Sequence, residues 1–159
     1  MPVDVAARSR TAVSTISVLR ANESHRIELD RLIKPALPHP GCVDGSIGNY
    51  RFVRINGEIV ACAGYETYGK TVSILRQLVV RKDYRHRGIG AALVRFWMDQ
   101  ARASGAKTLA LCSMYYHFNF YKRRGFCTSP RRLLPDSIRE YPQFTSKHHM
   151  NAAVMFQMI

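Results

Sequence analysis

The residues best suited to chemistry lie together at Arg85-His86-Arg87-Gly88-Ile89-Gly90, shortly after an apolar, β-branched run that ends at Val80. Glycines let a backbone approach an anion closely, a helix start presents unpaired N–H groups with partial positive charge, and Arg85 and Arg87 add formal charge. A strand, a short polar loop and a helix opening over Gly88 to Ala92 therefore read as a pyrophosphate cradle. A glycine-started helix beside a solvated basic loop is the plainer account. Two common phosphate motifs fail on residue identity: G-x-x-x-x-G-K followed by Ser or Thr does not occur, and the dinucleotide pattern G-x-G-x-x-G needs a small residue where Leu93 stands.

The elements around this cradle follow from local pattern. Residues 1–13 are poor in large apolar side chains and read as a flexible leader, with a first strand over Ser14 to Leu19. Asn22 suits a helix N-cap, Ile27, Leu29, Leu32 and Ile33 mark a helical face, and Pro35 is expected to end it. Pro35 to Gly48 is a turn-broken loop placed to cover a substrate pocket. Tyr50 to Ile55, the Asn56-Gly57 turn and Ile59 to Tyr68 give a hairpin, extended through Gly69-Lys70 into Thr71 to Val80 as a three-strand meander. Leu93, Val94, Trp97, Met98 and Ala101 give the helix Gly88 to Ser104 its apolar face. A strand at Lys107 to Ser113, a short helix at Tyr116 to Arg124 and a last strand at Ala152 to Ile159 complete a mixed α/β (α+β) domain over residues 14–159.

With 159 residues and a formal net charge of +13, the chain suits one core of ordinary size and a field that concentrates anions. The charge alone fits nucleic acid, an acidic metabolite, a polyphosphate cofactor or a merely solvated surface. No span or secretory signal is visible, so a soluble, cytoplasmic protein is expected. Cys42, Cys62, Cys112 and Cys127 form no C-x-x-C pair and read as thiols, mostly in core segments, and no metal site is expected.

The string L-V-V-R-K-D-Y-R-H-R-G-I-G from Leu78 resembles the GNAT acetyltransferase signature R/Q-x-x-G-x-G/A through Arg85, Gly88 and Gly90, and F-Y-K-R-R-G-F over Phe120 to Phe126 resembles a second GNAT element downstream. The resemblance implies a GNAT fold: a central, mostly antiparallel sheet with a splayed parallel strand pair, flanked by helices. It also implies acetyl-CoA (coenzyme A) as cofactor. The backbone groups of Leu78, Val79 and Val80 would hold the thioester and pantetheine, and the amides of Arg85, His86, Arg87, Gly88, Ile89, Gly90 and Ala91 the pyrophosphate. The tail L-L-P-D-S-I-R-E-Y-P-Q-F, followed by N-A-A-V-M, and the strand I-L-R-Q-L-V-V are similar to the N-acetylglutamate-synthase-type and arsenic-resistance N-acetyltransferases. That likeness implies a small amino-acid-like amine as substrate, and it allows a homodimer.

Acetyl transfer from a thioester to an amine needs a neutral nucleophile, a stabilised oxyanion and a proton for the departing thiolate. The N–H of Leu78 or Val79 is the oxyanion candidate. The resemblance places Tyr121 beside the sulfur, and a phenol of pKa about 10 can protonate a thiolate whose acid lies near about 8.5. Tyr121 is thus the expected general acid, against a plain role in capping the core. Arg76 and Gln77 stand where many relatives carry a glutamate, so Glu66 is the best local base, although an ion-paired strand residue explains it more simply. His86 and His117 rank below it. Arg76 is the candidate for binding a substrate carboxylate, against a structural ion pair. A weak base favours α-amines over lysine-like ones. Acetylation of a protein or peptide, and a nucleic-acid-binding module on a GNAT scaffold, are the alternatives. No aromatic-basic RNA motif supports the latter.

Overall fold

A computed structural model describes residues 15–37 and 40–159. The leader expected over residues 1–13 and the start of the expected first strand at Ser14 lie outside the described residues. Seven strands form one sheet in the order β1-β2-β3-β4-β5-β7-β6. They are β1 (Leu19–Arg20), β2 (Tyr50–Ile55), β3 (Glu58–Tyr68), β4 (Val72–Val80), β5 (Thr108–Ser113), β6 (Cys127–Thr128) and β7 (Ala153–Met158). Every neighbouring pair is antiparallel except β4 and β5. The helices are α1 (Arg26–Ala36), α2 (Ile89–Ala103), α3 (Phe118–Lys122), α4 (Asp136–Arg139) and α5 (Pro142–Thr145). No helix among the described residues is long and apolar enough to cross a membrane.

Helix α2 packs on one face of the sheet, burying Leu93, Val94, Trp97 and Ala101 against Val60, Ala63, Leu75, Leu109 and Leu111. Trp97 Nε1 donates to Ser73 Oγ at 2.8 Å, so its polar edge is satisfied inside the core. Helix α1 covers the other face near β2 and β3 with Leu29 and Ile33, which are fully buried. On the same face, Leu134, Ile138, Tyr141 and Phe144 of the tail close over Val72, Ile74, Ala110 and Val154. Arg131 fastens this tail through Nε to the Phe144 carbonyl and Nη2 to the His149 and Ala152 carbonyls.

The meander, α2, β5 and β7 match the sequence expectation to within a residue or two at each end. Asn56 and Gly57 both have positive φ, 51° and 80°, the twist that a two-residue hairpin turn requires. Four expectations are corrected. The first strand is Leu19–Arg20 instead of Ser14 to Leu19: Ile16 and Val18 use their side chains against the Val53, Val60 and Ile89 cluster, while the backbone pairs with β2 only from Leu19 onward. Pro35 does not end α1, which continues to Ala36. The hydrogen bond it forfeits would have gone to Arg31, on the exposed side where water can serve, and Leu37 N–H still closes the last turn on Ile33. Ile27, assigned to the apolar face, is 69% exposed. The short helix α3 also begins later than expected, with a 3-10 turn over Tyr115–His117 in front of it.

Candidate active site

Two local distortions of β4 create the site. Parallel pairing with β5 is confined to Val72–Thr108, Ser73–Leu109 and Ile74–Ala110, beyond which the two strands are no longer paired. On the β3 side, Cys62 faces Val79 and Gly64 faces Arg76, so Ala63 stands opposite both Gln77 and Leu78, a β-bulge with Gln77 at φ 49°. The bulge breaks the alternation of side chains, and Arg76 and Gln77 both point to the α1 face. Gln77 Nε2 donates to the Pro40 and Cys42 carbonyls at 3.2 and 3.0 Å, and its Oε1 accepts from Tyr50 Oη. These contacts fix the 40–44 segment over β4. Since Arg81 N–H donates to Val60 on the β3 side, strand alternation turns the peptide groups of Val80 and Leu78 toward the open β5 side. Val79 is turned toward β3, so of the two oxyanion candidates the exposed amide is that of Leu78.

At the end of β4, Gly88 takes φ 81° as the N-cap of α2, with no side chain capping the helix. The first bond of the helix runs from Ala92 N–H to Gly88, which leaves the Ile89, Gly90 and Ala91 amides at its open end. A β-carbon placed on Gly90 would lie 3.6 Å from both Val80 Cγ2 and Phe120 Cζ, so its absence keeps the floor between β4 and α3 open. Arg85, His86 and Arg87 are exposed around this opening. Arg81 is committed to Glu58 and Asp83, at 2.9 and 2.7 Å, whereas no carboxylate among the described residues pairs with Arg85 or Arg87. Arg85 Nε donates to Val80 at 3.0 Å, and the Arg87 guanidinium lies over the Tyr84 ring. Open amides, missing β-carbons and two unpaired guanidiniums suit a pyrophosphate, and the unpaired stretch of β4 suits an amide-bearing chain laid alongside it. The residues present therefore fit coenzyme A.

Tyr121 is buried on α3 between the rings of Phe120 and Phe126. Burial raises its pKa well above the ordinary phenol value, and no described residue hydrogen-bonds its hydroxyl. His117 faces Arg85 from the preceding turn; desolvation first, and then the Arg85 charge, hold it below the usual imidazole value.

On the α1 face, a recess of about 400 Å³ is lined by Asp44, Glu66, Tyr68, Arg76, Tyr141 and Gln143, with Pro142 and Ser146 completing it. Arg76 Nη1 lies 3.3 Å from Glu66, and Nη2 pairs with Asp44. Tyr141 Oη donates to the second oxygen of Glu66, and burial followed by this bond raises the phenol's pKa. Asp44 is held at its backbone, where its N–H donates to Tyr50 Oη, the hydroxyl whose proton goes to Gln77.

The model of the acetyltransferase (GNAT) family matches residues 14–126. This chain belongs to that family. The GNAT chain is 36% identical over 95 residues to an amino-acid acetyltransferase of Azotobacter vinelandii, covering 58% of itself and 22% of that protein. It is 29% identical over 100 residues to a probable N-acetyltransferase camello of Xenopus tropicalis, covering 60% of itself and 46% of that protein. It thus spans less than half the length of both curated relatives. The N-acetylglutamate synthase of Neisseria gonorrhoeae, solved with coenzyme A and N-acetyl-glutamate, superposes with TM-score 0.75 at 21% identity, over 91% of this chain and 35% of that one. An aminoglycoside 6'-N-acetyltransferase solved with coenzyme A superposes with TM-score 0.66 at 16% identity, over 90% and 97%. Both likenesses establish the fold.

The GNAT fold brings Leu78, Val79, Val80 and Arg85 to Ala91 together around the open end of α2, with Phe120 of α3 beside Gly90 and Tyr121 buried next to Phe120. Glu66 and Arg76 meet each other in the recess instead. Sequence reasoning missed Asp44 and Tyr141. The Pro35 to Gly48 loop was expected to cover a pocket, but no residue type in it marked Asp44 as the side chain that enters the recess. Tyr141 stood within the quoted tail motif without a role.

Proposed function

We propose that this GNAT chain transfers an acetyl group from acetyl-CoA to the amine of a small amino-acid-like molecule by direct transfer. The observation that carries the reading is the break in β4. Within one strand, β4 parts from β5 after Ile74, alternation carries Arg76 into a recess of small-molecule size, the bulge at Gln77 ties the 40–44 segment over it, and the strand ends at the open amides of α2. When bound, acetyl-CoA supplies an activated carbonyl carbon and a thiol leaving group.

The chain's own residues supply the rest. Leu78 N–H, turned to the open side, is placed to hold negative charge on a carbonyl oxygen. Tyr121 Oη, a phenol protonated at neutral pH even at its ordinary pKa of about 10, is the group to release a proton to a departing thiolate. Both oxygens of Glu66 are already engaged, so it serves as a proton acceptor through water or as an anchor for the incoming ammonium. An α-amine, with a reference pKa of about 7.7 to 8.0, needs little more. The Azotobacter relative supports an amino-acid-like acceptor. Full burial of Cys62 and partial burial of Cys112 suit a reducing, cytoplasmic setting.

Calorimetry with acetyl-CoA, followed by free-thiol release against a panel of amines, tests the reading. Saturable binding and turnover with small amines are expected. Tight RNA binding with no acetyl-CoA binding would overturn it, and turnover only with peptides would move the substrate to a polypeptide terminus.

A further inference from the structure

Arg76 entered as the candidate partner of a substrate carboxylate, and its surroundings speak against that role. A guanidinium grips a carboxylate with two adjacent nitrogens. In the recess, Nη1 is on Glu66, Nη2 is on Asp44, and Nε is buried with no partner among the described residues. A bidentate grip on a further carboxylate would have to compete with one of the carboxylates already on the two Nη atoms. The charged side chains lining the recess are Asp44, Glu66 and Arg76, two anions and one cation, a formal −1. A second carboxylate would have to displace Asp44 and then share the recess with it, since the Asp44 backbone N–H is tied to Tyr50. Gln143 Oε1, in the same lining, is buried and accepts no hydrogen bond from a described residue. The orphaned Gln143 acceptor calls for a donor, as the orphaned Arg76 Nε calls for an acceptor, and the net negative charge of the lining favours the donor.

Resting on the acetyltransferase reading above, we infer that the acceptor is a small amine without a free carboxylate, such as a diamine or an amino-acid amide, and that Asp44 selects for it. Arg76 is then a positioning residue that holds Glu66 and Asp44 at the recess. The second amine or amide of the acceptor donates to Asp44 and Gln143 while the reacting amine stays free.

The test is a matched series assayed by thiol release with the full chain: L-ornithine, L-ornithinamide and 1,4-diaminobutane, with L-glutamate alongside. The amide and the diamine are expected to exceed both free acids in kcat/KM by roughly tenfold or more, the scale of one close charge contact. Amine basicity does not mimic this result, because the amide lowers and the diamine raises the amine pKa relative to the acid. Asp44→Asn should shrink the preference to within about threefold while leaving coenzyme A affinity unchanged, which also reports that the variant is folded. Asp44→Glu should restore part of it. If the free acids are preferred by the unaltered chain, the inference is wrong and the acetyltransferase reading stands. If no amine is turned over, both fall.

Discussion

Gly90→Ala should make this protein more stable and a poorer binder of coenzyme A. Gly90 is the second residue of α2, and an added β-carbon meets Val80 and Phe120 at 3.6 Å, ordinary contact that displaces nothing. Alanine in a helix is favoured over glycine by about 0.8 to 1.0 kcal/mol, which in a chain of this size raises Tm by roughly 2 to 4 °C. The same methyl occupies the floor of the cleft, where an anion must approach the Ile89, Gly90 and Ala91 amides. Loss of one charge-assisted hydrogen bond costs about 1.5 to 3 kcal/mol, or roughly a 10- to 100-fold rise in Kd. Thermal melts with and without coenzyme A, together with calorimetry, measure both effects. Gly88→Ala is the control: its β-carbon meets nothing within 4 Å, but φ is 81°, so it should lose about 1 to 2 kcal/mol through backbone strain alone. A stabilised Gly90→Ala variant that binds coenzyme A as tightly as the parent would remove the pyrophosphate from this helix end.

Tyr121→Phe should lower kcat by about 100-fold, the lower range of general-acid contributions, with acetyl-CoA affinity and Tm little changed because the hydroxyl bonds to no described residue; steady-state and stopped-flow assays decide, and unchanged turnover ends the assignment. Ser73→Ala strands Trp97 Nε1 inside the core and should cost about 1 to 3 kcal/mol in urea unfolding, while a loss below the error of extrapolation would show that the indole finds another acceptor. At pH 8 a thiol reagent should label exposed Cys42 and Cys127 quickly, and Cys62 and Cys112, both pushed up to about 12 chiefly by burial, only on unfolding. Those two thiols keep their protons in the folded chain above the ordinary value of about 8.5, where the unfolded chain loses them. Their contribution to stability is therefore intact below about pH 8.5 and declines as pH rises toward about 12, which alkaline denaturation curves of Cys62→Ala and the parent can separate.

What could be read from the sequence was what is contiguous. The cradle from Arg85 to Gly90 is one unbroken segment whose residue types act through their own backbone, and the Asn56-Gly57 hairpin needs only its two turn residues to adopt positive φ. The bulge was hidden because the residue that bends β4 is Gln77, with neither glycine nor proline to mark it. The tail from Arg131 to His149 carries Leu134, Ile138, Tyr141 and Phe144 at helical spacing, but Pro135 and Pro142 cut that pattern into single turns, so no helix-length signal survives. The recess depends on contacts between distant residues: Arg76 to Asp44 across 32 positions and Glu66 to Tyr141 across 75. No local pattern encodes such pairs. The ion pairs of Arg76 were hidden for the same reason, since both of its partners arrive from elsewhere in the chain.

The net charge of +13 suggests a molecule that draws in anions everywhere, yet β4 separates two opposite environments. At Arg76 one guanidinium is outweighed by Asp44 and Glu66; at the strand's end Arg85 and Arg87 stand without a carboxylate partner among the described residues. Four residue steps separate Arg76 from Val80, about 13 Å of extended chain, against a screening length of about 8 Å at physiological salt. Over that distance the cationic cleft does not cancel the anionic recess. An anionic donor and a cationic acceptor can then be held side by side, each by its own short-range contacts, with the protein's overall field assisting the first and not preventing the second. Raised salt should accordingly increase the KM for acetyl-CoA, whose charge meets both the overall field and two exposed guanidiniums. For a diamine the screened repulsion from the net charge offsets the weakened pull of Asp44 and Glu66, so its KM should change less. A diamine KM that climbed as steeply as that of acetyl-CoA would place the acceptor outside this recess.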